Sequence, residues 1–159
     1  MTSEAAIIER IQFDLRGPGG DWETIFEDVL GESLLVFKNR HRSIREMFNA
    51  NIAKWASREF LVLGDRRITY EELKSCVEST AYSMQTQCGI KQGDRVAILG
   101  ANSPEWVISF FAATHLGAIV SALNGWWTET EIRHALELTD PSLVVGDSRR
   151  LARAGSLLD

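Results

Sequence analysis

The chain of 159 residues is 45% apolar and 25% charged, enough to build about one ordinary globular domain with a buried core. Its net charge of -5 argues against nucleic acid as a partner, because surfaces that bind nucleic acid carry a clustered excess of lysine and arginine. The first residues lack the basic and apolar segments of a secretory signal, and the two cysteines have no metal-ligand spacing. We therefore predict a cytoplasmic protein, in whose reducing environment Cys76 and Cys88 are buried as small apolar residues.

Residues 1–42 are predicted to form an N-terminal extension of mixed structure. A short helix is expected over Glu4–Leu15, followed by a break at the glycine- and proline-rich segment Gly17–Gly20. Trp22–Phe37 fits either a helix that ends at Gly31 or two strands that turn at Gly31-Glu32-Ser33, and the pattern favours the hairpin. Arg40, Arg42 and Arg45 follow as the one dense basic cluster, which fits a solvated loop leading into a helix better than a contact with an anion.

Four helix starts are marked in the remainder of the chain. Three of them are capping-box patterns, in which serine or threonine is followed three residues later by glutamate and side chains satisfy free backbone N–H groups. The fourth is a serine followed by proline at the first helical position, where the missing N–H is no loss. The marked starts are Ser43 with Glu46, Thr69 with Glu72, Thr128 with Glu131, and Ser103-Pro104.

Between these starts, apolar patterning predicts the remaining elements of residues 43–159. A helix is expected from Ser43 to about Ala56, a hairpin over Glu59–Thr69, and a helix from Thr69 to Gly89. Three short strands then alternate with three helices, over Arg95–Leu99, Pro104–Leu116, Ala118–Leu123, Thr128–Leu138, Leu143–Val145 and Ser148 onward. This alternation predicts an α/β fold, an open and mostly parallel sheet with helices on both faces.

The apolar run Trp106–Leu123 has the length of a membrane span. Polar residues interrupt it, and Gly117 falls where a helix would end. The run is therefore predicted to be one helix and one strand, with no transmembrane segment.

Function in such a sheet is expected at the carboxyl ends of the strands. The loops there are Gly100–Ser103, Asn124–Thr128 and Gly146–Ser148, and each leads to a helix N-terminus that could bind an anion. No phosphate-loop motif accompanies them, so a structural role is favoured. His41, His115 and His134 lie in different elements, and no catalytic or metal-ligand motif is visible, so we predict no catalytic residue and no metal ligand in this chain.

Trp126 and Trp127 are the candidate substrate-binding residues. Two adjacent tryptophans at a strand-end turn are costly to expose and large enough to wall a pocket. We expect one of them to pack in the core or at a subdomain interface and the other to face a ligand or partner, with a purely structural role for both as the alternative.

Five short segments together resemble the N-terminal region of adenylate-forming (AMP-binding) acyl-CoA synthetases. They are Ile68–Leu73, Gly93–Ile98, Asn102–Trp106, Leu116–Ala118 and Leu123-Asn124, and the similarity extends over roughly Phe37–Leu158. The segments Val36–Asn39 and Gly125–Thr128 are similar to the fatty-acid or aryl-acid CoA ligase branch. One departure is Asn124-Gly125, because many relatives have Asn-Pro there, and it puts in doubt a contact with CoA that some relatives make at this turn.

The resemblance implies a ligase that joins a fatty or aryl acid to CoA through an acyl-adenylate, using ATP, CoA and Mg²⁺. The family's ATP-binding loop, acidic motifs and C-terminal lysine would all follow Asp159, so residues 43–159 are expected to be a partial AMP-binding-type domain, truncated at its C-terminal end and inactive alone. Its partners would be the remaining domains of the parent enzyme and the carboxylic acid, and a homo-oligomer stays open. The alternative is a free-standing α/β binding module that docks a partner around Trp126 and Trp127.

Overall fold

The computed structural model describes residues 4–155, so the N-terminal Met1–Ser3 and the predicted end of the resemblance near Leu158 lie outside the described residues. Contacts divide the chain into two compact units, one ending at Arg42 and one beginning at Ser43. Each unit is described by itself.

The first unit contains a helix and a hairpin. Helix α1 covers Glu4–Arg16, and strands β1 (Thr24–Val29) and β2 (Glu32–Phe37) pair antiparallel. The turn between the strands uses Leu30 and Gly31 at φ of 55° and 88°, which explains why a glycine stands there. Of the two interpretations of Trp22–Phe37, the hairpin is therefore the one that the structure shows.

The basic cluster after β2 is partly neutralised by one carboxylate. Arg40 and Arg42 both bind Glu27 of β1, at nitrogen–oxygen distances of 3.0 and 2.6 Å. In the second unit, the Arg45 guanidinium donates to the carbonyl of His115 at 3.4 Å. All three arginines thus bind other groups of the protein.

The second unit begins with α2 (Ile44–Trp55), the hairpin of β3 (Glu59–Leu63) and β4 (Arg66–Thr69), and α3 (Tyr70–Cys88). The apolar faces of α2 and α3 share one buried cluster, which contains Phe48, Ile52, Leu73 and Val77. Phe48 also stacks on Phe111, with ring centroids 4.5 Å apart. Gly89 caps the C-terminus of α3 with a left-handed φ of 69°.

Three parallel strands form the central sheet, in the order β6-β5-β7. The elements in chain order are β5 (Arg95–Leu99), α4 (Pro104–His115), β6 (Ile119–Ala122), α5 (Glu129–Thr139), β7 (Leu143–Gly146) and α6 (Ser148–Ala154). Alternate side chains of β5 point to opposite faces: Val96 packs with residues of α3 and α4, whereas Ala97 and Leu99 pack with residues of α5 and α6. The predicted parallel sheet with helices on both faces is confirmed.

All four marked helix starts are confirmed. Thr69 and Thr128 form complete capping boxes with Glu72 and Glu131. The Ser43 and Ser103 hydroxyls accept hydrogen bonds from the backbone N–H groups of Glu46 and Trp106, respectively.

The burial predicted for Cys76 and Cys88 is wrong, because both thiols are exposed. The buried face of α3 is the narrower row of Leu73, Val77, Ala81 and Met84, and Cys76 lies beside that row. Cys88 is the last residue of the helix.

The apolar run Trp106–Leu123 is divided between α4 and β6, as predicted, with Gly117 between them at a φ of 75°. Within residues 4–155, no helix combines the length and apolarity that a membrane span requires.

Candidate ligand-binding cleft at the strand ends

The carboxyl ends of β5, β6 and β7 lie at one edge of the sheet, so the three predicted loops meet there. Two cavities open among these loops, one of about 310 Å³ on the side of β7 and one of about 350 Å³ on the side of β6. Gly100, Ala101 and Trp106 line both. We refer to the two cavities together as the strand-end cleft.

Asp147 connects the loop after β5 to the loop after β7. One of its carboxylate oxygens accepts from the Ala101 backbone N–H at 2.9 Å, and the other accepts from the Arg150 backbone N–H at 3.0 Å. The Ala101 hydrogen bond is the largest cause of a pKa for Asp147 below its usual value, and the hydrogen bonds from Arg150 act in the same direction. Asp147 is therefore held as a carboxylate. It is also the N-cap residue of α6 and directly precedes the first residue of that helix.

Two arginines of α6 hold the third loop. The Arg150 guanidinium donates to the Gly125 carbonyl at 3.0 Å and to the Asp147 carboxylate at 2.8 Å. Arg153 donates to the carbonyls of Gly125 and Trp127, at 3.2 and 2.8 Å. The Arg150 side chain is only 13% exposed, so these bonds are largely shielded from solvent.

The two adjacent tryptophans differ in their exposure to solvent. Trp126 is 81% exposed, lines the cavity on the side of β6, and has the Arg150 guanidinium 5.8 Å from its ring centroid. Trp127 is partly buried against the cluster that contains Leu123 and Ile132. One indole thus packs in the core and the other stands at the cleft, where it can contact a ligand or a partner.

The possibility of an anion site at these loops is weakened by Asp147. Its carboxylate already occupies the Ala101 N–H and the N-terminus of α6, so a second anion there would meet a fixed negative charge. This geometry fits the structural role that the sequence favoured for the three loops.

Neither histidine of the second unit, His115 or His134, lines the strand-end cleft. His115 is the last residue of α4, and Ser109, the residue of that helix nearest to it that lines the cleft, lies six residues earlier, about 9 Å along the helix axis. The His115 Nδ1 atom is buried with no hydrogen-bond partner among residues 4–155, and burial, helped by Arg45, lowers the pKa of the imidazole. Over the same described range, no three ligating side chains are placed to hold a metal ion.

Asp147, Arg150 and Arg153 were not singled out from the sequence. The Gly146-Asp147-Ser148 turn carried a visible signal, since aspartate is a favoured N-cap. The two arginines carried none, because the backbone carbonyls that they bind, those of Gly125 and Trp127, lie 25 to 28 residues away along the chain.

A parallel α/β unit with its cleft at the strand ends is the architecture of the N-terminal subdomain of adenylate-forming enzymes. The family model described as "AMP-binding enzyme" matches residues 48–157, which is more than half of the chain. The chain therefore belongs to the AMP-binding enzyme family.

Relatives in this family are CoA ligases. The medium/long-chain-fatty-acid–CoA ligase FadD6 of Mycobacterium tuberculosis is 30% identical over 115 residues, covering 72% of this chain and 19% of the relative. The 4-coumarate–CoA ligase of Vanilla planifolia is 34% identical over 97 residues, covering 60% of this chain and 17% of the relative. The chain thus spans about a fifth of the length of the curated relatives that it matches.

Solved structures agree with the fold. The Klebsiella oxytoca NpsA N-terminal subdomain in complex with 3-hydroxyanthranilyl-AMSN is 25% identical with a TM-score of 0.67, over 72% of this chain and 28% of that one. The inhibitor-bound N-terminal domain of FACL13 from Mycobacterium tuberculosis has a TM-score of 0.69 at 24% identity, over 74% of this chain and 30% of that one. The second likeness shows the fold alone.

Proposed function

We propose that this chain is the N-terminal portion of a carboxylic acid:CoA ligase that works through an acyl-adenylate. The observation that carries the proposal is the family match over residues 48–157, on a parallel sheet whose strand-end loops meet at a cleft. The complete enzyme would consume ATP, require Mg²⁺ and transfer the acyl group of a fatty or aryl acid to CoA. Adenylation gives the carboxylate a good leaving group, so that the CoA thiol can displace it.

The described residues include no built site for Mg²⁺ or for the phosphates of ATP. No group of three or more potential metal ligands occurs in residues 4–155, and the Asp147 carboxylate occupies the Ala101 N–H and the Arg150 N–H at the start of α6. We therefore assign the binding of these groups to the remaining domains of the parent enzyme, which are the chain's proposed partners. The 159-residue chain alone is expected to be inactive.

Within this scheme, Trp126 and Trp127 contribute apolar surface for the acid. The exposed Trp126 indole would contact the substrate or an adjoining domain, while Trp127, packed in the core, supports the turn that carries it.

Carboxylate-dependent ATP–pyrophosphate exchange tests the proposal. The pure 159-residue protein should give no exchange, whereas the protein from the complete encoding reading frame should give exchange with fatty or aryl acids. In that complete protein, Trp126→Ala should raise the KM for the acid about tenfold through the loss of apolar contact, and Trp22→Ala, which truncates another exposed tryptophan, should not. Exchange by the 159-residue protein that a mutation within it abolishes would contradict the proposal, as would a complete protein inactive towards both classes of acid.

The alternative function is a binding module without enzymatic activity. Its support is the 81% exposure of Trp126, a large apolar surface that a partner could cover. A reading frame that stops after Asp159 would favour this module over the ligase.

The exposed thiols of Cys76 and Cys88 support a reducing compartment, and we propose the cytoplasm for either function. Analytical ultracentrifugation of the 159-residue protein would measure whether it forms a homo-oligomer.

A further inference from the structure

The turn that carries Trp126 is held from outside by contacts of α6. Its own hydrogen bonds, from the Trp126 N–H to the Asn124 side chain at 2.9 Å and from the Trp127 N–H to the Asn124 carbonyl at 3.1 Å, leave the carbonyls of Gly125 and Trp127 to other donors. Arg150 and Arg153 are those donors. The direction of the turn is therefore coupled to the position of α6.

Arg150 connects all three strand-end loops through two acceptors. It binds the Gly125 carbonyl in the loop after β6 and the Asp147 carboxylate in the loop after β7, and the same Asp147 oxygen accepts from Ala101 in the loop after β5. A guanidinium can do this because its planar fork presents several donors in fixed directions. A lysine ammonium has the charge but lacks the fork.

Residue 125 must be glycine for this contact to exist. A Cβ atom there would collide with Arg150 Nε and lie 3.1 Å from the Gly100 carbonyl oxygen. The glycine does not have a left-handed φ, so its requirement comes from space and not from backbone conformation. Gly125 and Arg150 are consequently a matched pair.

We infer that Arg150 is a positioning residue, which bridges the Gly125 carbonyl and the Asp147 carboxylate and thereby fixes the Trp126 indole as the outer wall of the strand-end cleft. The guanidinium 5.8 Å from the indole centroid adds a direct cation–π contact to this arrangement. The use of that wall by a substrate rests on the proposed function, whereas the positioning itself does not.

Fluorine NMR of the whole chain labelled with 5-fluorotryptophan tests the inference. The five tryptophans give five signals, and Trp126→Phe identifies the one of interest. Arg150→Lys should narrow the Trp126 signal and move it towards the shift of free 5-fluorotryptophan, because the indole is released. Arg149→Lys, the same change at the exposed neighbouring position, should leave it in place.

A second variant keeps the test decisive. Gly125→Ala should reproduce the Trp126 shift with Arg150 intact, and it should add little when combined with Arg150→Lys, because both break the same contact. An unchanged signal from Trp55, in α2 of the second unit, reports that each variant is folded. A Trp126 signal that stays in place in both single variants, or two effects that simply add, would overturn the inference. No substrate is present in this experiment, so a failure of the ligase proposal in the exchange assay would leave its outcome untouched.

Discussion

At the scale of single residues, the strand-end cleft is organised by the Asp147 carboxylate and the Arg150 guanidinium, which bind backbone groups of the loops around it. Asp147 caps its own helix and also binds the loop after β5, so one side chain satisfies backbone donors of two elements. Gly125, which stands where the family resemblance leads one to expect proline, provides the space that Arg150 needs. Asp147 and Gly125 lie in loops where many residues look acceptable, but contacts across the cleft determine which residue each position needs.

The depressed pKa of Asp147 predicts how this site responds to acid. Because its pKa is lower in the folded than in the unfolded state, its contribution to stability is fully present above the ordinary value near 3.8 and is lost as the pH falls through the lower folded value. Chemical denaturation of the wild type and of Asp147→Asn should therefore show a stability difference at neutral pH that shrinks below about pH 4. Asp65→Asn, in the turn between β3 and β4, is the control. A difference that is constant over this range would show that the charge of Asp147 contributes nothing.

At the scale of elements, the helices of this chain begin where their side chains satisfy the first backbone N–H groups. Helix α5 shows this clearly, because Thr128 and Glu131 exchange side-chain and backbone hydrogen bonds at its start. The same threonine ends the turn that carries Trp126 and Trp127. The cap therefore fixes both the start of the helix and the end of the loop.

Removal of that cap gives an element-scale prediction. Thr128→Ala should lower the free energy of unfolding by about 1 kcal/mol, because the Glu131 N–H loses its acceptor and the capping box is broken. Thr130→Ala, two residues further along α5, should change stability by less than about 0.5 kcal/mol. Urea denaturation followed by circular dichroism measures both. Equal effects of the two substitutions would rule out the capping box as the cause.

At the scale of the whole molecule, the two units differ in what they bury. None of residues 4–42 is buried, and Phe13 and Phe26 are 70% and 74% exposed. In the second unit, Val96 and Ala97 of β5 are fully buried between helices on both faces of the sheet. An isolated two-stranded hairpin is only marginally stable in water, whereas a buried parallel strand exchanges its amide protons only on extensive unfolding.

Native-state hydrogen exchange tests the predicted domain bounds of 1–42 and 43–159. The amides of β1 and β2 should exchange through local openings whose rate depends little on urea, and those of β5 through unfolding that urea promotes strongly. If the two sets exchanged with the same free energy and the same urea dependence, the chain would be one cooperative unit and the predicted bounds would be wrong.

The sequence by itself determined the elements and the sheet, because periodicity, caps and turn glycines act over a few consecutive residues, and the resemblance of five short segments indicated the family. It also indicated that one of Trp126 and Trp127 would pack and the other would face outward. Only the tertiary structure decided which was which, left Cys76 and Cys88 exposed, and joined Gly125, Asp147 and Arg150 in one cluster. The physical reason is that the exposure of a side chain and the partner of a guanidinium depend on how helices pack against the sheet, which brings together residues as far apart in the chain as Gly125 and Arg150, 25 positions.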